Sequence, residues 1–476
     1  MSSSIFWHDY ETTGINPRSD RPLQVAGVRT DLELNEIEAP INLYCRPSDD
    51  ILPHPAACLV TGITPQHLAD HGLGEAEFMT RIHAELARPG TCGAGYNTLR
   101  FDDEVTRYSL YRNFFDPYAR EWQGGNSRWD LIDTVRAACA LRPEGINWPE
   151  QDGRISLRLE LLTAANGIGH GQAHEALSDV RATIAMARLV RQKQPRLYDW
   201  LFQLRSKQSV LDHIRLMQPF VHISGRFSAA RNYLGVVLPL AWHPRNRNAL
   251  IVCDLHLDPQ PLLEEDAEVL RQRLYTRREA LAEGQLPVPL KLIHVNRCPV
   301  IAPLSVLRNE DQQRLALDMS LYHGRAAELQ CNQMIVQDKL KAVYATEDFS
   351  PSEDPEQQLY DGFLGERDRR VCEQVRSVDP QQLVSGQWMF DDERLPELLF
   401  RYRARNFPET LNSEEHQRWL EFCRQRLLSE AMGAPNTLSG FEQALEACWP
   451  QATEQQRGVL GAWRDYVQAL KVRLQM

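Results

Sequence analysis

Ser4-Ile5-Phe6-Trp7-His8-Asp9-Tyr10-Glu11-Thr12 is the stretch whose reading decides the fold of the N-terminal part of the chain. The apolar start predicts a strand over residues 4–8, and the acids follow at once. Residues two apart on a strand share a face, so Asp9 and Glu11 point the same way. Two carboxylates pressed together repel each other unless a cation neutralises them, and hard oxygen ligands of this kind suit Mg²⁺ or Mn²⁺. Taken alone, a D-x-E after a strand is most often a polar turn. The neighbouring His8-Asp9 pair is discounted as an HD-type metal site, which needs a helix and further distant His and Asp partners.

Outward from this strand the pattern stays mixed. Residues 23–30 and 41–45 read as strands, and 74–86, 104–115, 131–141 and 176–192 as helices, which predicts an α/β domain over residues 1–190. From 196 to 348 the texture changes to strand candidates at 219–227, 233–242, 250–257 and 288–300, separated by Pro/Asn-rich turns. That reads as a small β-barrel or sandwich with helical insertions. After a linker at 350–355 the segment 351–476 is helical, with helix-period apolar positions at 395–403, 413–428 and 454–474.

The whole chain has 476 residues, 43% of them hydrophobic and 25% charged, which is globular usage and excludes fibrous or wholly disordered classes. No run of about 18 apolar residues is present, so no membrane helix is expected, and the early acids argue against a secretory leader. Ten cysteines without a C-x-x-C pair suggest reduced thiols and a cytoplasmic protein. The net charge of −11 is the wrong sign for a protein that simply coats nucleic acid. Yet residues 201–253 hold seven Lys/Arg against the single acid Asp212, while residues 350–476 hold 15 basic and 21 acidic side chains. A basic stripe on a negative protein can still hold a polyanion, because screening confines each field to about 10 Å. A solvated charged face is the plainer reading of such a stripe.

Two further acidic elements follow. Asn97-Thr-Leu-Arg-Phe101-Asp102-Asp103 precedes a helix, where either acid could serve as an N-cap. His174-Glu-Ala-Leu-Ser-Asp179 opens another, and on a continuous helix its His and Asp lie about 140° apart. His174 can reach a site shared with Asp179 only from the loop before the first turn. Alone, it reads as a surface or core histidine.

The order D-x-E, N-x-x-x-F-D, H-x-x-x-x-D resembles the DEDD family of 3′–5′ exonucleases, in its histidine-bearing branch. The stretches GYNTLRFDDEVTR (95–107), NSRWDL (126–131), LRPEGINWPE (141–150), PLAWHPRNRNALI (239–251), LYDGF (359–363) and RYRARNFPETL (401–411) are similar to bacterial exonuclease I over nearly the whole chain. This resemblance implies an RNase-H-like α/β domain, an SH3-like β-rich domain and an all-α C-terminal domain. It implies two Mg²⁺ ions, replaceable by Mn²⁺, held by Asp9, Glu11, Asp102 and Asp179, with His174 as general base. It also implies that Glu11 and Arg158 contact substrate near the cleaved bond, although Arg158 reads equally as a surface helix arginine.

Single-stranded nucleic acid needs cations for phosphates and aromatic faces for bases. The stretch 107–122 interleaves them, although aromatics at helical spacing are more often core. By resemblance the DNA contacts are Arg107, Tyr118, Trp122 and Arg136, continuing through Trp200, Lys207 and Asn248 to Tyr360 and Phe363. The implied protein partner is the C-terminal tail of the single-stranded DNA-binding protein, with Arg142 as its cation beside Pro143 and Trp148. Arg142 reads as well as an anchor of its own Pro/Gly loop. The expected enzyme is a monomeric, processive exodeoxyribonuclease of DNA repair and recombination. A nuclease or oligoribonuclease acting on RNA and a non-catalytic single-strand-binding module are the alternatives. A fragment ending near residue 195 is expected, if soluble, to cut short oligonucleotides distributively.

Overall fold

The computed structural model describes residues 3–171, 175–276, 280, 285–345, 352–384 and 388–476. By its contacts the chain divides into two compact bodies. Residues 1–127, 170–184 and 350–476 make the first, and 128–169 with 185–349 the second. The three sequence segments and these two bodies therefore do not coincide, because the N-terminal and C-terminal segments fold into one.

In the first body, β1 (Ser4–Thr12), β2 (Pro22–Thr30), β3 (Ile41–Cys45), β4 (Gly72–Leu73) and β5 (Thr91–Gly95) lie in the order β4-β3-β2-β1-β5. β1 runs antiparallel to β2 from Ile5↔Thr30 to Thr12↔Pro22, and parallel to β5 only from Ser4↔Thr91 to Trp7↔Ala94. The strand expected over 4–8 thus continues through both acids, and the D-x-E is strand, not a polar turn. The physical reason is β2, which supplies ladder partners as far as Pro22. Phe6 and Tyr10 point into a core with Val25, Phe78, Ile82 and Val105, beneath α1 (Glu75–Leu86) and α2 (Asp102–Arg112). α2 starts at Asp102 itself. Its boundary residue Phe101 offers no side-chain cap, so neither Asp102 nor Asp103 is the N-cap. α3 (Ala176–Lys193) begins where the sequence placed it.

The C-terminal helices, among them α4 (Glu366–Ser377) and α5 (Arg394–Asn406), bury their apolar faces against the N-terminal segment. Leu23, Leu52 and Leu68 share one core with Phe400, Phe441 and Trp463. Tyr108, Tyr111 and Phe114 share another with Leu359, Cys372 and Tyr402. A buried ion lattice ties the same segments together. Arg405 holds Asp50 at 2.8 Å and also bonds Glu356. Arg21 reaches Glu356 at 2.6 Å, and Arg401 and Arg426 reach Asp354 at 2.7 and 3.1 Å.

The second body is built on an antiparallel sheet ordered Leu290–His294, Ala249–Asp254, Leu234–Trp242, Phe220–Ile223, Val300–Pro303. The single strand expected over 288–300 is therefore two strands on opposite edges of the sheet. Cys298 takes φ 47°, and Pro299 has no N–H to give a ladder, so the chain turns there. Among the described residues no helix is long and apolar enough to cross a membrane.

Candidate functional site

β1 carries Asp9 and Glu11 on one face and the buried His8 and Tyr10 on the other. Because its pairing with β5 stops at Trp7↔Ala94, the Tyr10 N–H lies beyond that ladder and donates to Asp102 Oδ1 at 3.0 Å. The turn from β5 to α2 places that carboxylate. Asn97 takes φ 68°, a left-handed conformation that Asn tolerates, and a Cβ on Gly95 would stand 2.6 Å from the His8 carbonyl. Asp102 and Asp179 both sit in the first turn of a helix, where the helix dipole favours negative charge.

Carboxylate oxygens of Asp9, Glu11 and Asp179 lie within 4.8 Å of one another. Burial, followed by the Asp179 charge, pushes Asp9 up to about 8. Burial and the charges of Asp9, Asp179 and Glu175 push Glu11 up to about 9. Asp102 is raised well above the carboxylate range by burial and by Asp9, but stands outside the three-oxygen group. The charges acting on Asp9 and Glu11 are all carboxylates, so these acids hold protons near neutral pH. Among the described residues these three carboxylates offer an all-oxygen donor set, which fits a hard divalent cation.

His174 lies outside the described residues. A second histidine, overlooked by the sequence reading, sits at the site: His170 Nε2 is 2.5 Å from Asp179 Oδ1. Its signal was a histidine nine residues before Asp179, amid Gly167, Gly169 and Gly171. On the His8 side of the strand, Arg120 pairs with Asp103 at 2.6 Å, both nearly inaccessible. Burial holds the adjacent His8 down to about 4, so it is neutral.

The residues expected along the DNA fall into both bodies. In the first, Arg107 is buried and committed. Its Nε meets Glu121 at 2.7 Å, and its Nη1 meets Glu104 at 2.7 Å and the Tyr360 hydroxyl at 2.9 Å. The Tyr118 ring lies 5.6 Å from Phe363 and 6.4 Å from Tyr360, while Trp122 and Phe363 are 64% and 86% exposed. The structure thus gathers Arg107, Tyr118, Tyr360 and Phe363. In the second body, Lys207 Nζ bonds Asn248 Oδ1 at 2.6 Å, joining two of the expected contacts. Trp200 donates to the Ile301 carbonyl, and Arg136 is buried against Asp133. Arg158 is exposed and pairs with Glu160. Arg142 reaches Asp311 at 3.1 Å and the Val306 carbonyl at 3.0 Å, and Arg308 and Arg314 close on the same carboxylate. Arg308 also meets Glu144 and Glu310, each at 2.7 Å, so the three guanidiniums stand in a balanced network with three acids.

Three family models match the chain: an exonuclease model over residues 6–187, the exonuclease I SH3-like domain over 205–346 and the exonuclease I C-terminal domain over 353–470. Exodeoxyribonuclease I of Escherichia coli K12 is 49% identical over 450 residues, covering 94% of this chain and 93% of that protein. A moderately thermophilic exonuclease I from Methylocaldum szegediense superposes with a TM-score of 0.94 at 49% identity, covering 98% of this chain and 99% of that one. The zinc-bound form of the E. coli exonuclease I complex with single-stranded DNA gives 0.93 at 47%, over 99% and 100% of the two chains. A complex of single-stranded DNA-binding protein with exonuclease I, bound to an inhibitor, gives 0.91 at 46%, over 99% and 100%.

Proposed function

The chain belongs to the exonuclease I family of exodeoxyribonucleases, and from that premise we propose that it degrades single-stranded DNA processively from the 3′ end to 5′-mononucleotides. The observation that carries the reading is the gathering of carboxylate oxygens of Asp9, Glu11 and Asp179 within 4.8 Å of one another. Two Mg²⁺ ions, replaceable by Mn²⁺, are the proposed cofactors, and a zinc-bound relative supports the binding of a divalent metal.

When bound, the ions would lower the pKa of water and stabilise charge on the departing 3′ oxygen. Asp9 and Asp179 are the main holders, with Glu11 and Asp102 completing the set. His174 takes the proton from the attacking water at a ring nitrogen, since the ordinary pKa of histidine lies close to working pH. Glu11 also contacts the terminal nucleotide, and Arg158 the substrate beside it. The strand then runs over Tyr118, Trp122, Tyr360 and Phe363, with Arg107 fixing Tyr360. Arg136, Trp200, Lys207 and Asn248 serve it in the second body. Exposed Arg226, Arg245 and Arg247 add positive charge to that body.

The protein partner is the C-terminal tail of the single-stranded DNA-binding protein, with the Arg142 guanidinium as the cation for its terminal carboxylate, and the complex of that protein with an exonuclease I relative supports the pairing. The enzyme acts as a monomer in the cytoplasm, in repair and recombination. Its ten free cysteines support a reducing compartment.

The test is a gel of 5′-end-labelled DNA with Mg²⁺ or with chelator. Shortening from the 3′ end only with metal is expected, faster on single-stranded DNA than on duplex or RNA. Asp179→Ala should remove about 10³-fold or more of the rate. His174→Ala should remove about 10² to 10⁴-fold, with DNA binding less affected. Metal-independent cleavage, or preference for RNA or duplex, would overturn the reading.

A further inference from the structure

The first turn of α2 carries Asp102, and Phe101 before it offers no side-chain cap. The pairing of β1 with β5 has already ended, at Trp7↔Ala94. Tyr10 fastens this turn to β1, and it does so by two separate routes. Its main-chain N–H donates to Asp102 Oδ1 at 3.0 Å. Its hydroxyl lies 3.1 Å from Thr106 Oγ1, and that oxygen lies 2.8 Å from the Asp102 carbonyl one turn back. Each hydroxyl carries one proton, enough to bond the three oxygens in a row. Tyr10 and Thr106 are both buried, which closes this chain of bonds to solvent.

The Tyr10 ring shares its core with Phe6, Val25, Phe78, Ile82 and Val105, all apolar. Phenylalanine would fill that space equally, and a hydroxyl buried there is unfavourable unless it is bonded. Packing therefore does not account for the hydroxyl, whereas its bond to Thr106 does. A staple between helix and sheet would serve stability at any turn of α2. This one closes on the residue whose carboxylate feels the Asp9 charge. Asp9, Glu11 and Asp179 bring their oxygens within 4.8 Å of one another, whereas Asp102 stands outside that group. Its share in a divalent site hence depends on where α2 sets it. Mg²⁺ demands near-octahedral geometry at about 2.0–2.1 Å, so a small shift of that turn weakens the site.

We propose that Tyr10 is a positioning residue for the metal centre: its hydroxyl, acting through Thr106, sets the first turn of α2 and with it the Asp102 carboxylate. The proposal rests on the reading of Asp102 as a metal ligand and deepens it.

The experiment compares full-length Tyr10→Phe, Thr106→Val and Thr106→Ser with the wild type, and repeats Tyr10→Phe together with Asp102→Asn. Mn²⁺ is titrated without DNA and followed by electron paramagnetic resonance. Metal-free melting and the turnover of single-stranded DNA are measured on the same samples. Tyr10→Phe and Thr106→Val should bind Mn²⁺ about ten- to a hundred-fold more weakly, and Thr106→Ser, which keeps the hydroxyl, should bind it as the wild type does. In Tyr10→Phe, kcat should fall at limiting Mg²⁺ while KM for DNA holds. The melting point of metal-free Tyr10→Phe should move by no more than about 4 °C, the worth of one hydrogen bond. In the Asp102→Asn background Tyr10→Phe should weaken Mn²⁺ no further, because it acts through that carboxylate. Unchanged Mn²⁺ affinity in Tyr10→Phe, or the same fold loss with and without the Asp102 carboxylate, overturns the proposal and leaves a structural staple. If Asp102→Asn alone keeps wild-type Mn²⁺ binding and turnover, the reading of Asp102 as a ligand falls, and the proposal with it.

Discussion

The first body contains two buried clusters of acids, and they are built on opposite plans. Asp50, Asp354 and Glu356 are wrapped by Arg21, Arg401, Arg405 and Arg426, and the arginines hold Asp50 and Glu356 well below the ordinary carboxylate range. Asp9, Glu11 and Asp179 share as small a space, but the charges that act on Asp9 and Glu11 come from other acids, and both are raised. Burial penalises Asp9, Glu11, Asp50 and Glu356 alike; the difference lies in what the chain supplies to offset it. Where it supplies guanidiniums, the acids fasten the C-terminal helices to the sheet. Around Asp9 and Glu11 the charges that act from the described residues are acidic, and a cation would offset them. A count of charged partners thus separates a structural lattice from a candidate metal centre more clearly than acidity does.

The contrast can be broken most severely by removing the C-terminal segment. A fragment ending near residue 195 would bare Leu23, Leu52 and Leu68 and strip Asp50 of Arg405. Loss of a cooperative melt and aggregation are the expected outcomes. A soluble fragment with a sharp transition would show instead that the shared core is dispensable. Next in size, Arg405→Met removes the cation that hydrogen-bonds both Asp50 and Glu356, leaving the longer Arg426 pairs, and should cost about 3–5 kcal/mol in denaturant unfolding. A loss under about 1 kcal/mol, the range of a surface pair, would place the lattice among marginal contacts. The smallest effect has the opposite sign. Asp9→Asn removes a repelling charge, so metal-free protein should melt slightly higher above neutral pH while turnover is lost. A destabilised, still active variant would contradict this division.

Much of this was legible in the residues. Asp9 and Glu11 share a face by strand period alone, and the acids of α2 and α3 could be placed once each helix start was recognised. The extent of β1 was not, because its acids continue as strand only by pairing with β2, a partner outside any local window. The junction at 350–355 read as a linker from its composition, yet Asp354 is buried there by arginines from α5 and from the helix Ser413–Leu428. Ion pairs across some 50 to 350 positions leave no periodic trace. His170 was overlooked for a related reason, since a histidine among glycines carries no period and only the folded chain brings it to Asp179.

The central claim is that the second plan, acids without cations, marks the metal centre. Folded Asp9 and Glu11 keep protons up to about 8 and 9 that unfolded carboxyls release near pH 4, so their penalty on the metal-free protein grows as pH rises through that window. A divalent cation relieves it. The direct measurement is thermal melting with and without Mg²⁺ at about pH 6 and about pH 8.5. The account predicts a melting-point rise with Mg²⁺ that is larger at the higher pH and is lost in Asp9→Asn. A rise that is independent of pH, or that survives Asp9→Asn undiminished, would contradict it.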